Sequence, residues 1–489
     1  MHKQQFYFRC DSSHQIGGGH LIRCLALADQ LKKMGYKSEF ICKDLPGSIH
    51  ERAQSQGYKV HLLAPTLSQR DDSDFCLTLI TKDINPIVVV DNYSLDEEWE
   101  YPLYLKTFVM VIDDSANRRH CCHMLVDYNF HLDPEKKYNE LIPATATRYF
   151  GPSHIIFREE FQKIVEPAGL DRSGLIVFFG MTDATGESLK FIKSLKRMQS
   201  EYPCQLLISK SNRFYSEIKN EIVPNNLQLI EDSTELSGLF LQAKFYLGSG
   251  GIITWERLRC GLPGGVVTVA NNQIEGTKNL ADKNYQIYFG HFDKVNYDEV
   301  LKKCLNFLNA KDYDQLSLEQ KKLKIAPFEP KLILENLEET RLRKATREDA
   351  QFLYDLRKDP TTNANSITKD DFTFASHLEW LSKKIKNQET HLFVILYKNK
   401  VAGQVRIDPN KVVSISVLTD LRGKGIAYKA LKQAVEVSPR LNRTTTPAPL
   451  RAYIEPQNIA SLKLFESVDF VRTGEEIINQ KKFIMLARE

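Results

Sequence analysis

Three stretches of the 489-residue chain bring together residue types that can do chemistry. The first is Ile16-Gly17-Gly18-Gly19-His20, placed between an apolar run and a helical pattern. Glycines let the backbone approach a ligand closely, and a helix opening just behind them offers unpaired N–H groups at the positive end of its dipole, a combination suited to phosphate. His20 closes this turn with an imidazole able to exchange a proton near neutral pH, or as a structural residue, the commoner use of a lone histidine. The second stretch, Gly248-Ser249-Gly250-Gly251-Ile252 running on to Glu256, repeats the design. A carboxylate one turn into that helix repels phosphate but accepts hydrogen bonds from hydroxyls such as those of a ribose, or simply profits from the helix dipole. Asn271-Asn272-Gln273 follow a later strand with amides that pair with hydroxyls or a base, or make an ordinary turn. The third stretch runs from Leu418 into Arg422-Gly423-Lys424-Gly425-Ile426-Ala427, where successive N–H groups open a helix beside a lysine, as a pyrophosphate site requires.

Short β-rich runs separated by helical patterns must position these turns. Phe6 to Arg9, Ser38 to Cys42, Ile87 to Asp91 and Val109 to Asp113 form one series. Gly174 to Phe179, Gln205 to Ser209, Gln228 to Ile230, Phe245 to Gly248 and Val266 to Ala270 form another. Strands alternating with helices predict parallel, doubly wound sheets, whose ligands bind at the carboxyl ends of the strands. Two such units in tandem place the two glycine turns across a shared cleft. Polar helical sequence follows to Pro327 and Pro330, and from Arg341 the pattern changes to two helices (Glu348 to Lys358, Phe374 to Lys386) and strands at Thr390 to Tyr397, Val401 to Asp408, Lys411 to Leu418 and Arg451 to Glu455. Residues 439–450 read as an irregular loop. The expected domains are 1–148, 149–330 and 338–489.

Composition agrees with three cores, because domains usually run to roughly 100–200 residues. Hydrophobic content of 42% and charged content of 26% exclude a disordered or collagen-like chain. No apolar run is long enough to span a membrane, and the first residues lack a signal peptide pattern, so a cytoplasmic protein is expected. Nine cysteines, an odd number without a CxxC pair and all before residue 305, indicate neither a disulfide framework nor a zinc ribbon. No metal-ligand cluster stands out. Residues 339–489 hold 26 Lys and Arg against 18 Asp and Glu, a net +8, which leaves −4 for the first 338. So mild and local a basic excess does not fit nucleic acid but suits a small polyanion.

Several segments carry a resemblance. Arg9-Cys10-Asp11 with the first glycine turn and Arg23-Cys24-Leu25, VVDNYSLD (88–95), IDDSANR (112–118), FGPSHIIFREEF (150–161) and LGSGGIITWERLRCGLP (247–263) with Asn271-Asn272-Gln273 resemble the UDP-sugar hydrolases of pseudaminic acid biosynthesis. That family is related to the GT-B transferase of peptidoglycan synthesis, and the resemblance covers about 1–290. It implies a GT-B fold, two Rossmann-like domains with an interdomain cleft, and cleavage of UDP-2,4-diacetamido-2,4,6-trideoxy-β-L-altrose to UDP and free sugar. His20 is then the catalytic base. Substrate contacts are implied at Asp11, Gly17, Gly18, Gly19, Arg23, Ser249, Gly250, Gly251, Ile252, Glu256, Asn272 and Gln273. Two segments depart from the family: Met181 replaces a usual glycine in Gly180-Met181-Thr182-Asp183, and HCCHMLVDYN after Arg119 lacks the expected Asp and Asn-Gln.

The last third resembles the GNAT superfamily of acetyl-CoA-dependent N-acetyltransferases, an α+β fold. Leu418, Arg422, Gly423, Lys424, Gly425, Ile426, Ala427, Asn458 and Ser461 are implied cofactor contacts. His377-Leu378-Glu379-Trp380-Leu381 and Ala402 to Asp408 further resemble the 4-amino-sugar acetyltransferase of the same pathway, which implies substrate contacts at His377 and Arg406. His377 is equally compatible with a packed helix residue. The family's usual acid, a tyrosine, is here Phe465, which cannot donate a proton; Ser461, Tyr453 or water remain as substitutes. Glu455, at a strand end, is the candidate base or a solvated charge. The partners implied are a UDP-amino sugar and acetyl-CoA, without nucleic acid or membrane, and nothing in the sequence assigns an oligomeric state. A GT-B glycosyltransferase fused to an acetyltransferase, and a sugar-nucleotide sensor without turnover, stay open as alternatives.

Overall fold

The computed structural model describes residues 4–81, 85–164, 171–221, 224–233, 235–308, 312–366, 372–387, 389–441 and 449–489. Of the loop expected over 439–450, residues 442–448 lie outside the described residues, whereas 439–441 end the helix Ile426–Leu441 and Leu450 opens the strand Leu450–Ile454. By internal contacts the chain divides into two compact units. The first comprises 1–100, 109–142 and 148–330; the second comprises 331–489 with the short segments 101–108 and 143–147.

The first unit holds two parallel sheets. One has seven strands in the spatial order 3-2-1-4-5-6-7 counted along the chain, and the other has six strands in the order 3-2-1-4-5-6. Ile87–Asp91 and Phe108–Ile112 are buried at every residue, as strands covered on both faces by helices must be. Gln5–Cys10 lies between Lys37–Lys43 and Ile87–Asp91, with Cys10 opposite Asp91. That register brings Asp91 to the carboxyl end of the sheet, beside the turn that follows Cys10. Ser173–Phe178 and Ala243–Gly248 hold the same central position in the second sheet, with Gly248 opposite Phe178. This is the doubly wound pair of the GT-B class. In this unit four strands escape the sequence pattern: Lys59–Leu63, Met124–Asp127, Thr147–Phe150 and Ile287–His291. They are short, and Lys59–Leu63 and Thr147–Phe150 lie at the edges of their sheet, where packing leaves little apolar signature.

The second unit is α+β. An antiparallel four-stranded sheet runs Arg341–Lys344, His391–Tyr397, Lys400–Ile407 and Val413–Val417, and a three-stranded sheet orders Leu450–Ile454, Lys481–Arg488 and Val471–Ile478. A parallel bridge, Val412 to Arg451, links them. Among the described residues no helix is long and apolar enough to cross a membrane.

A buried ion cluster stabilises the loop that follows Phe108–Ile112. His120 Nδ1 bonds Glu100 Oε1 at 2.7 Å and its Nε2 lies 3.8 Å from Asp113, with all three side chains sealed from solvent. Burial opposes the charged ring, yet Glu100 and Asp113 raise His120 from 6.5 to about 9. A folded value above the unfolded one means that the stabilisation is complete below pH 6.5 and disappears as pH rises through about 9. Thermal melts are expected to show Tm falling across that window, and His120→Gln, lower throughout, is expected to flatten the slope.

Candidate functional site

The helix Gly19–Lys33 begins at the glycine turn, with Gly17 in the left-handed region (φ 74°) that a residue with a side chain avoids. His20 sits in its first turn, nearly buried, and its Nδ1 is 2.5 Å from Asp91 Oδ1. Arg23, one turn on, also engages Asp91 through Nε and Nη2, and its Nη1 reaches Asp114 at 3.0 Å and the Tyr128 hydroxyl at 2.5 Å. Burial alone would raise the Asp91 carboxyl, but Arg23 and His20 hold it down to about 2. An ionised carboxylate only accepts hydrogen bonds, so Nδ1 of His20 carries the proton and Nε2 is the basic nitrogen. Arg23 Nη2 lies 3.1 Å from the same Nδ1. Two donors cannot pair, so the shorter contact to Asp91 sets the tautomer.

These residues border a cleft of about 1060 Å³. Its walls include Gly17, Gly18, Gly19, His20 and Arg23 from the first sheet's edge, and Ser249, Gly250, Gly251, Ile252, Glu256, Asn272 and Gln273 from the second's. The structure thus brings together eleven residues expected to contact a ligand and the expected base. Gly251 (φ 96°) precedes the helix Ile252–Arg259, whose first N–H groups are the anion-seeking end of the second half. Ser209, Lys210, Ser211 and Asp232 line the cleft beyond them.

Asp11, expected to touch the ligand, is not among the cleft residues. Its Oδ1 accepts from Arg9 (2.6 Å) and the Lys43 N–H (2.7 Å), and its Oδ2 accepts from Asn92 (2.7 Å). The carboxylate ties together the ends of three neighbouring strands, Gln5–Cys10, Lys37–Lys43 and Ile87–Asp91. Glu256 does line the cleft, but Arg158 grips both its oxygens at 2.8 Å. Burial raises the Glu256 carboxyl above its usual range against the pull of Arg158. Met181, the departure from the usual glycine, turns across the cleft: its Sδ is 3.3 Å from Arg52, and its methyl would stand 3.1 Å from a Cβ placed on Gly18. Asp183 caps the helix Glu187–Met198 by accepting from the Glu187 and Ser188 N–H groups at 2.9 Å. Asp91, Tyr93, Asp114 and Arg158 were not singled out from the sequence, although each stands inside a quoted motif; their roles arise from partners 21 to 98 residues away.

In the second unit, the chain leaves Val413–Val417, passes Leu418 and a short turn, and enters Arg422 to Gly425 ahead of the helix Ile426–Leu441. Gly423 and Gly425 hold φ near 75°, and the space where their Cβ atoms would stand is open. Lys424 is exposed, Ile426 buried and Ala427 half-buried. This is a cradle of exposed backbone. The Arg422 side chain donates to Val417 O (3.0 Å) and to the Thr362 hydroxyl (3.3 Å). Asn458 caps the helix Ile459–Glu466 by accepting from the Ser461 N–H at 3.1 Å, and donates to Asn365 at 3.0 Å, so its amide is already engaged. Phe465 is buried edge-on against Phe470. Glu455 is buried at the strand end, paired with Lys481 (3.2 Å) and Gln457. His377 stacks on Trp380 at 5.2 Å, with Phe372 and Tyr354 each at 5.7 Å, and its buried Nε2 has no hydrogen-bond partner. Arg406 lies over the same Trp380 ring and pairs with Asp408. The two residues expected to contact substrate therefore converge on one tryptophan.

Residues 339–471 match the acetyltransferase (GNAT) domain family. The final third is a GNAT domain. Over 284 residues, 58% of this chain and 98% of the relative, the chain is 24% identical to the UDP-2,4-diacetamido-2,4,6-trideoxy-beta-L-altropyranose hydrolase of Campylobacter jejuni. An uncharacterized protein of Methanocaldococcus jannaschii is 20% identical over 489 residues, covering 95% of this chain and 96% of its own. The crystal structure of Acinetobacter baumannii MurG overlays 68% of this chain and 98% of its own at 12% identity and a TM-score of 0.46. The chain is thus similar to this hydrolase over 58% of its length and matches the GNAT domain family at residues 339–471.

Proposed function

We propose that the chain is a bifunctional sugar-nucleotide enzyme of pseudaminic acid biosynthesis. The GNAT domain transfers acetyl from acetyl-CoA to the 4-amino group of UDP-4-amino-4,6-dideoxy-N-acetyl-β-L-altrosamine. The first unit then hydrolyses UDP-2,4-diacetamido-2,4,6-trideoxy-β-L-altrose to UDP and free sugar. The observation that carries the hydrolytic half is the His20–Asp91 pair facing a cleft that two glycine turns and two helix starts enclose.

In the hydrolytic step, water attacks the anomeric carbon as His20 Nε2 takes its proton, and the bond from that carbon to the phosphate oxygen breaks. UDP leaves with the oxygen and the electron pair, its charge met by the N–H groups following Gly18 and Gly251. Asp91 steadies the imidazolium that forms. Glu256, oriented by Arg158, has lone pairs left for ribose hydroxyls. Acetyl-CoA supplies an activated thioester; the N–H groups of residues 423–427 would hold its pyrophosphate, and the open glycine positions fit that group. The amine must lose a proton, for which Glu455 is the candidate acceptor once freed from Lys481.

Hydrolysis in ¹⁸O-water tests the first half. The label is expected in the sugar's anomeric hydroxyl and absent from UDP, and label in UDP would mean attack at phosphorus. For the second half, Gly425→Val fills the cradle and cannot hold its φ easily; KM for acetyl-CoA is expected to rise about tenfold, the equivalent of about 1.4 kcal/mol, with UDP release from the diacetamido substrate unaffected.

A further inference from the structure

Asn272 was expected to meet the ligand directly, yet its amide is committed elsewhere. Asn272 Nδ2 donates to the Tyr93 hydroxyl at 2.8 Å, joining residues 179 positions apart on opposite walls of the cleft. The same hydroxyl donates to Asp114 Oδ2 at 3.2 Å, and the Tyr93 ring packs edge-on against the His20 imidazole with centroids 4.3 Å apart. The helix Asn272–Asp282 meets the first half again through Glu275 to Lys137 (3.0 Å) and Asn279 to the Phe130 carbonyl (3.4 Å).

We infer that Tyr93 is a positioning residue for His20, and that Asn272 acts through it, so that the imidazole is aligned only when the two walls of the cleft meet. Asp91 fixes one nitrogen of the ring but leaves it free to rock about that bond. The Tyr93 edge blocks the rocking, and the phenol is itself held between Asp114 and Asn272. With the cleft empty, water competes for the exposed Tyr93–Asn272 bond; a substrate filling the cleft excludes that water and strengthens the bond. The contribution therefore appears in turnover more than in binding. This inference rests on the hydrolytic reading only for its kinetics, since the alignment itself is a property of the protein alone.

The test pairs kinetics with a readout that needs no turnover. Tyr93→Phe and Asn272→Ala are each expected to lower kcat for UDP release on the order of tenfold, within the range that small misplacements of a catalytic group produce, with KM nearly unchanged. The double variant is expected to be no slower than either single one. In histidine NMR spectra of the full chain, with His20 assigned by its loss in His20→Ala, Asn272→Ala is expected to move or broaden the His20 signal although residue 272 does not touch that ring. An unmoved His20 signal in Asn272→Ala, or additive losses in the double variant with raised KM, would overturn the inference and return Asn272 to direct ligand contact. A moved signal in a chain that releases no UDP would keep the alignment and refute the hydrolytic reading instead.

Discussion

His20→Ala is expected to lower UDP release from the diacetamido UDP-sugar by about 10² to 10⁴, the span that general base catalysis contributes, while acetyl transfer continues at the unmodified rate. The size of the effect follows from geometry. Among the cleft residues His20 alone pairs a basic nitrogen with a fixed tautomer, through the 2.5 Å contact to Asp91. Acetyl transfer serves as the internal control, because it reports that the same molecule is folded and supplied. The check is a paired assay, UDP by coupled detection and CoA by thiol release, on one preparation. Retained UDP release in the variant would remove His20 from the mechanism.

Asp91→Asn is expected to cost nearly as much, on the order of 10² to 10⁴ in kcat, as neutralising the orienting carboxylate of a histidine base does elsewhere. A neutral amide can donate to Nδ1 instead of accepting, which turns the proton to Nε2 and removes the base. It also leaves the imidazolium without its counter-charge. Arg23 keeps Asp114 and Tyr128 as partners, so the variant is expected to fold. Isothermal titration with UDP, expected to give an unchanged Kd, separates loss of chemistry from loss of the site. An Asp91→Asn enzyme with unreduced kcat would mean that the tautomer does not matter.

The readable parts of the fold were those buried on both faces. Ile87–Asp91 and Phe245–Gly248 announce themselves as unbroken apolar runs, and the glycine turns behind Cys10 and Gly248 mark where the ligand edge must be. Four-residue strands such as Met124–Asp127 carry too few residues for a pattern. Within the site, glycines and His20 were legible because their chemistry is local to a turn. Asp91, Tyr93 and Arg158 were not, since a carboxylate or ring at a strand end looks like any turn residue until a partner from another part of the chain meets it. Asp11 shows the converse: its carboxylate accepts from Arg9, Lys43 and Asn92, partners that its motif does not reveal. Asn458 stands at a helix start, and its side chain makes the N-cap that such a position favours.

The most direct test supplies the purified chain with the UDP-4-amino sugar and follows the mixture by proton and phosphorus NMR with and without acetyl-CoA. No free UDP is expected until acetyl-CoA is added, then transient 4-acetamido UDP-sugar followed by UDP and the free diacetamido sugar in equal amounts. UDP release that requires a second sugar acceptor, or binding of both compounds with no product, would contradict it.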